Sequence, residues 1–394
     1  MACRWLPLAS VLLLGVVGPS SVAAGPPTQR RPLVLAHYMP WFEAKPESPQ
    51  WGWHWTMNHF QPDTVADDGR RQIASHFYPR IGPYDSGDPA VLEYHLLSMR
   101  LAGIDGVIVD WYGLTDFRDY AVLHRNTTRL LEQAERLGMK FVICYEDQTI
   151  PALVEGQRLR SADRVAHAIG EIEWLGKYWF KSPSYLLLDG RPVLLSFGHD
   201  GLTADEWSQC SERLSFPVAS FSQSQRRPGA IGAFDWPVPA DPVGTMQRFQ
   251  QAMQEWPAAI PVAYPRFVDI YAEAGVGDSY GRLADDEGRS FRQMLRQGLA
   301  SGAELVQIAT WNDWGEGTMI EPSREFGLRD LEIVQQVVAG DSGLTAADLQ
   351  LPHRLYQARR TAAASPAKLD EIALLLAAGK AGEARRELAD LTGG

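Results

Sequence analysis

Cysteine is scarce in this chain: among 394 residues there are three. Cys3 falls in the apolar N-terminal stretch, and Cys144 lies inside Phe141-Val142-Ile143-Cys144, where it reads as a small buried hydrophobe. A pairing of Cys144 with Cys210 is open but not required, because a chain of this size buries a full core without disulfide staples. No Cys/His cluster has zinc spacing and no histidine cluster stands at a strand end, which disfavours a metal-dependent hydrolase. No glycine-rich phosphate cradle follows a strand, and no Ser/His or Cys/His arrangement stands where a nucleophile would act. The reading therefore names no metal and no cofactor. Cationic excess is also missing: 37 Lys and Arg face 48 Asp and Glu, a formal net charge of -11. That balance argues against nucleic acid or an anionic membrane as partner. Internal repeats and low-complexity tracts are absent too.

Long apolar runs occur once. Leu6 to Val17 is followed by Ser21-Val22-Ala23-Ala24, the small-residue pattern at which a secretory signal peptide is cut. The expectation is a signal peptide over 1–24, a mature chain starting near Gly25, and a secreted or periplasmic protein; an uncleaved anchor is the alternative. What the chain has in quantity is aromatic surface, with 13 Trp and 13 Tyr. Flat apolar rings with polar tips suit a carbohydrate cleft.

From Pro32 onward short β-rich runs alternate with helical patterns. The predicted strands are Leu33 to His37, Gly106 to Asp110, Lys140 to Tyr145, Pro192 to Phe197, Phe216 to Phe221, Ala230 to Asp235, Ile260 to Tyr264 and Glu304 to Thr310. Eight strands alternating with helices indicate an α/β fold, a (β/α)8 TIM barrel over 32–345, with a doubly wound open sheet as the rival. Its first βα loop, Met39 to about Asp88, is long and rich in Trp and His, which predicts a wall or lid over a cleft. Residues 346–394 read as a C-terminal helical extension with a break at Gly379. Asn126-Thr127-Thr128 has the form of a glycosylation sequon.

Barrel enzymes build their sites at the C-terminal ends of the strands. The last predicted strand runs into Trp311-Asn312-Asp313-Trp314-Gly315-Glu316-Gly317-Thr318. Asp313 and Glu316 lie three residues apart, among glycines that free the backbone to turn. Two acids in an aromatic cleft are the minimum equipment for cleaving a glycosidic bond, one protonating the leaving oxygen and the other assisting at the sugar. Glu316 and Asp313 are the catalytic candidates. Tyr38, Trp41, Trp111, Tyr112, Tyr145, Glu146, Tyr264, Trp311, Asn312 and Trp314 are the candidates for substrate binding. Glu321 and Glu325 read as rim acids, and Arg266 as an ion-pair partner. The expected partner is an oligo- or polysaccharide; the alternative is a catalytically inactive carbohydrate-binding barrel.

These blocks resemble the glycoside hydrolase family 71 and family 99 group. His37-Tyr38-Met39-Pro40-Trp41-Phe42 resembles the aromatic motif of its first strand, and Ser75-His76-Phe77-Tyr78-Pro79 to Asp88-Pro89 resembles the family 99 lid segment. Ile104 to Tyr112 resembles the second strand, and Tyr145-Glu146 falls where family 99 has a His-x-Glu segment. Trp311 to Thr318 is similar to the Asn-Glu-Trp-His-Glu-Gly-Thr motif that carries the two catalytic acids. The resemblance, from roughly Leu33 to Arg354, implies a glycosidase in which Glu316 is the general acid/base. It also implies that Asp313 deprotonates the sugar 2-hydroxyl, giving an anhydro intermediate and net retention. Family 99 has Glu at position 313 and His at position 315, whereas Asp-x-x-Glu resembles family 71, whose members cut α-1,3-glucan. The expected substrate is therefore α-linked, of mannan or glucan type.

Overall fold

The computed structural model describes Met1 and residues 31–340 and 342–392, so the signal-peptide expectation for 1–24 lies, Met1 apart, outside the described residues. Pro32–Gly394 forms one compact unit. Its strands are β1 (Leu33–Tyr38), β2 (Gly106–Trp111), β3 (Lys140–Glu146), β4 (Arg191–Phe197), β5 (Ala219–Gln223), β6 (Gly232–Phe234), β7 (Ala258–Ile260), β8 (Val262–Ala263) and β9 (Leu305–Ile308). They pair in parallel in the order β7-β6-β5-β4-β3-β2-β1-β9-β8. β7 and β8 are one strand interrupted at Pro261, whose ring leaves no N–H to donate. Ala258–Ile260 pairs with β6, Val262–Ala263 pairs with β9, and Gln307 N–H donates across the break to Pro261 O at 2.9 Å. Eight strand positions thus close the ring, and the architecture is the TIM barrel that the alternation predicts.

Each strand has two apolar faces, because a barrel strand is covered on both sides. Leu35, Ile108, Val142, Leu195, Phe221, Phe234, Ile260 and Leu305 fill the interior. Alternate residues, among them Ala36, Val107, Val109, Phe141, Ile143, Leu194 and Ile308, pack outward against the helices. Truncating one large interior ring, as in Phe221→Ala, costs about 3–5 kcal/mol on general grounds. The predicted fifth strand begins three residues later than expected, at Ala219, because Pro217 supplies no ladder donor. Just before β4, Leu187–Leu188 folds back on Pro192 and Arg191 through Asp189-Gly190, whose φ angles of 49° and 75° suit a tight two-residue turn.

The helix Pro89–Ala102 between β1 and β2 begins with Pro at its first turn and Asp88 accepting from Ala90 N–H, and ends at Gly103 with φ 92°. It is buried on nearly every side, since the helices Leu351–Arg360 and Pro366–Ala377 cover the face the barrel does not. Glu93, buried within it, accepts from Arg136 at 2.5 Å and from Arg359 Nε and Nη2 at 2.7 Å each.

Candidate active site

Past β9 the chain is held on two sides. Trp311 N–H donates to His37 O at 2.7 Å, and the Asn312 amide is clamped on β1's exit, its Oδ1 accepting from Met39 N–H at 2.8 Å and its Nδ2 donating to Met39 O at 2.9 Å. On the other side Val268 N–H donates to Glu316 O and Ile270 N–H to Gly315 O, both at 2.9 Å. Arg266, fully buried, donates to Met319 O and to Asp285 at 2.8 Å each and also pairs with Asp330. Between these anchors Thr310 Oγ1 accepts from Asp313 N–H at 2.8 Å, and Asp313 Oδ1 accepts from Glu316 N–H at 3.0 Å. Gly317 turns here with φ 68°, where a Cβ would meet Val268 O at 2.8 Å. The two candidate acids are thereby fixed with respect to each other before any ligand arrives.

Their surroundings separate them chemically. Burial lifts the Asp313 carboxyl to about 6, opposed by hydrogen bonds from the Glu316 and Gly315 backbone. Burial, then the neighbouring Asp313 charge, pushes Glu316 well above the usual carboxylate range. Glu316 Oε1 lies 3.4 Å from the Tyr271 hydroxyl, and its Oε2 is buried with no hydrogen-bond partner. Asp110, at the end of β2, is raised to about 8 by burial and by Asp313, and its Oδ1 is also unpartnered. Glu146 on β3 is raised by burial and then by Asp110. A run of neighbouring buried acids thus stands at this end of the barrel, with Asp313 ionising before Glu316.

Asp313 and Gly315 face a cavity of about 330 Å³, walled by Trp41, His54, Tyr112 and Tyr271. A second cavity of about 1050 Å³ shares Trp53, His54 and Tyr112 with it and reaches Glu146. Trp41 stacks on His54 with centroids 4.2 Å apart, and His54 Nε2 lies 3.3 Å from Asp119 Oδ2. Of the binding candidates, Trp41, Tyr112 and Glu146 line this space.

The remaining seven do not. Trp311 and Trp314 are both fully buried, so neither offers a ring to a sugar; Trp314 belongs to the same buried cluster as Phe42 and Trp55, and its Nε1 donates to Glu321 at 3.2 Å. Asn312 spends its amide on the clamp. Tyr38, Trp111 and Tyr145 point into the layer between strands and helices, with Tyr38 OH 2.9 Å from His95 Nδ1 and Trp111 Nε1 3.2 Å from His124. Tyr264 is buried in that layer as well. Glu321 is not a rim acid: it is 2% exposed and accepts from Tyr84 OH at 2.7 Å. Asn126 is fully buried and donates to Pro40 O at 2.9 Å, which leaves the sequon without an accessible amide.

Sequence reasoning missed Met57, Tyr271 and Tyr280. The last two lie in the loop after the seventh strand, where two tyrosines in a segment carrying Gly275, Gly277 and Gly281 were the available signal. Met57 closes over Gly315, where a Cβ would lie 3.0 Å from the movable Met57 Cε. Among the described residues one trio, His37, Asp110 and Cys144, offers potential metal-ligand atoms within 4.8 Å of one another. Burial opposes the forms that would bind, since it holds the proton on Asp110 and raises the Cys144 thiol. Cys144 and Cys210 are both free and buried.

Residues 33–213 match the sequence profile of glycosyl hydrolase family 99, a match that ends ahead of Asp313 and Glu316. A glycoprotein endo-alpha-1,2-mannosidase-like protein of Danio rerio is 37% identical over 68 residues, 15% of this chain and 15% of that protein. Glycoprotein endo-alpha-1,2-mannosidase of Rattus norvegicus is 34% identical over 88 residues, 20% of this chain and 19% of that protein. The aligned stretches therefore span about a fifth or less of these relatives. The GH99 endo-alpha-mannosidase structure from Bacteroides thetaiotaomicron superposes with a TM-score of 0.60 at 19% identity, covering 78% of this chain and 95% of that one, which shows a shared fold. Ordered motifs, a profile match over residues 33–213 and a common barrel thus make this chain similar to glycosyl hydrolase family 99.

Proposed function

We propose that this protein is an exported, endo-acting glycoside hydrolase that cleaves α-linked glycans of mannan or glucan type with retention. The observation that carries the reading is the divergence of the two acids: Asp313 ionises near 6 while Glu316 holds its proton well above the usual range. Paired carboxylates driven apart in this way divide into a base and an acid. Glu316 donates its proton to the leaving glycosidic oxygen. Asp313, ionised, takes the proton of the sugar 2-hydroxyl, whose oxygen attacks the anomeric carbon to close an anhydro ring as the leaving bond breaks. In the second step Glu316, now ionised, takes a proton from water. That water opens the ring at the anomeric carbon, and Asp313 returns a proton to the 2-oxygen. Asp is one methylene shorter than the family's Glu, so the sugar must approach Asp313 to within about 3 Å of the proton it takes.

The aromatic walls of Trp41 and Tyr112 and the size of the two adjoining cavities, about 330 and 1050 Å³, support a polymeric substrate lying along the groove. The test is a panel of defined α-linked manno- and gluco-oligosaccharides, with product anomers followed by NMR. Hydrolysis with retained configuration, lost in Glu316→Gln, supports the reading. Wild-type-like turnover by Glu316→Gln refutes the acid. Binding across the panel with no turnover selects the inactive barrel instead. Export is tested by N-terminal sequencing of the protein from the medium or periplasm, with Gly25 expected first.

A further inference from the structure

We propose that the loop from Asp269 to Gly281 forms the leaving-group side of the groove, with Tyr280 as the platform for the first sugar beyond the scissile bond. The inference rests on the hydrolase reading above and adds to it the polarity of the groove.

The loop is attached to the acid itself. Val268 and Ile270 donate their backbone N–H groups to Glu316 O and Gly315 O, so the loop's entry runs alongside the residues that carry the proton donor. Asp269, 7% exposed, then ties the loop's two ends together. Its Oδ1 accepts from Tyr271 N–H at 3.3 Å, and its Oδ2 accepts from Ser279 Oγ at 2.9 Å and from Tyr280 N–H at 2.8 Å. Gly275 and Gly281, at φ 69° and 119°, supply the reversals that only glycine takes without strain. The product is a braced loop that sets Tyr271 against Glu316 and Tyr280 against Tyr271.

Three of those side chains face the cavity. Tyr271 reaches Glu316 with its hydroxyl, Tyr280 sits edge-on to Tyr271 with centroids 5.6 Å apart, and Val276 completes the wall. Tyr280 is 64% exposed and Val276 43% exposed, although both stand against a binding cavity. An exposed ring at a cleft margin, held by a buried anchor, is surface that a flat apolar sugar face can cover. The polarity follows from proton transfer. The leaving oxygen must lie within hydrogen-bond reach of Glu316, so the sugar attached to it extends over the neighbours of Glu316 on the Tyr271 and Tyr280 side. The donor sugars then run the other way, past Trp41 and Tyr112 into the larger cavity that ends at Glu146.

The experiment compares two leaving groups on one donor. For whichever oligosaccharide series the wild type hydrolyses, kcat/KM is measured beside that of the matching α-mannobiosyl or α-glucobiosyl fluoride, which carries no sugar beyond the scissile bond. Tyr280→Ala is expected to lower the oligosaccharide-to-fluoride ratio about 3- to 10-fold, while Tyr280→Phe, which keeps the ring, holds it within about twofold. An unmoved ratio in Tyr280→Ala, or an equal fall in Tyr280→Phe, overturns the assignment while hydrolysis itself stands. A wild type that hydrolyses neither substrate removes the parent reading and this inference together.

Discussion

Replacing Asp313 by Asn should abolish hydrolysis and at the same time make the protein more stable at neutral pH. The Asp313 carboxyl titrates at about 6 in the fold against 3.8 unperturbed, because burial disfavours its charge. A carboxyl raised in this way binds its proton more tightly when folded, so the destabilisation is absent below about pH 4, grows as pH rises through the two values, and is complete above about 6. A shift of that size corresponds to about 3 kcal/mol at pH 7, as an upper bound. Asn is the same size and its Oδ1 can still accept from Glu316 N–H, so the native hydrogen bond survives without the charge. At about 2 °C per kcal/mol for a chain of this length, thermal unfolding followed by circular dichroism should show Tm raised by roughly 5 °C at pH 7. At pH 4 the gain should shrink to under about 1 kcal/mol. A variant as stable as wild type at both values, or less stable at pH 7, would refute the claim that this carboxylate is strained by burial.

The same titration governs rate: with Asp313 half ionised at about 6, kcat/KM should rise roughly tenfold between pH 5 and pH 7, and a flat profile would remove Asp313 as the base. Arg266→Met removes one of the two arginines on Asp285 and Asp330, leaving Arg329, and should cost about 1–3 kcal/mol, read as a lower denaturation midpoint; an unchanged midpoint would contradict the brace. Expression in a eukaryotic secretory host should leave Asn126 unglycosylated, and intact-mass measurement checks it.

The barrel was legible because eight apolar runs of strand length recur between helical patterns, and the acid pair because it follows the last of them. Which strand-end aromatics face the groove was much less legible. Side chains alternate across a strand, so in His37-Tyr38 and Asp110-Trp111 the first member turns to the interior and the second to the helix layer. Taking every aromatic at a strand end as a groove residue assigns Tyr38, Trp111 and Tyr145 to the groove, when period two sends them away from it. The wall is made instead by long loops. Trp53, His54 and Met57 from the first and Tyr271 and Tyr280 from the seventh meet across more than 200 positions of chain, and no local pattern announces that encounter.

Glu93 carries a consequence for anyone trimming this protein. A chain cut at 345, where the alternating pattern stops, would keep Arg136 but lose Arg359, and would open to water the side of Pro89–Ala102 now roofed by Leu351–Arg360 and Pro366–Ala377. Because that helix leads directly into β2 and Asp110, the tail serves as a keystone seated behind the second strand, and a shortened chain should aggregate through the bared helix.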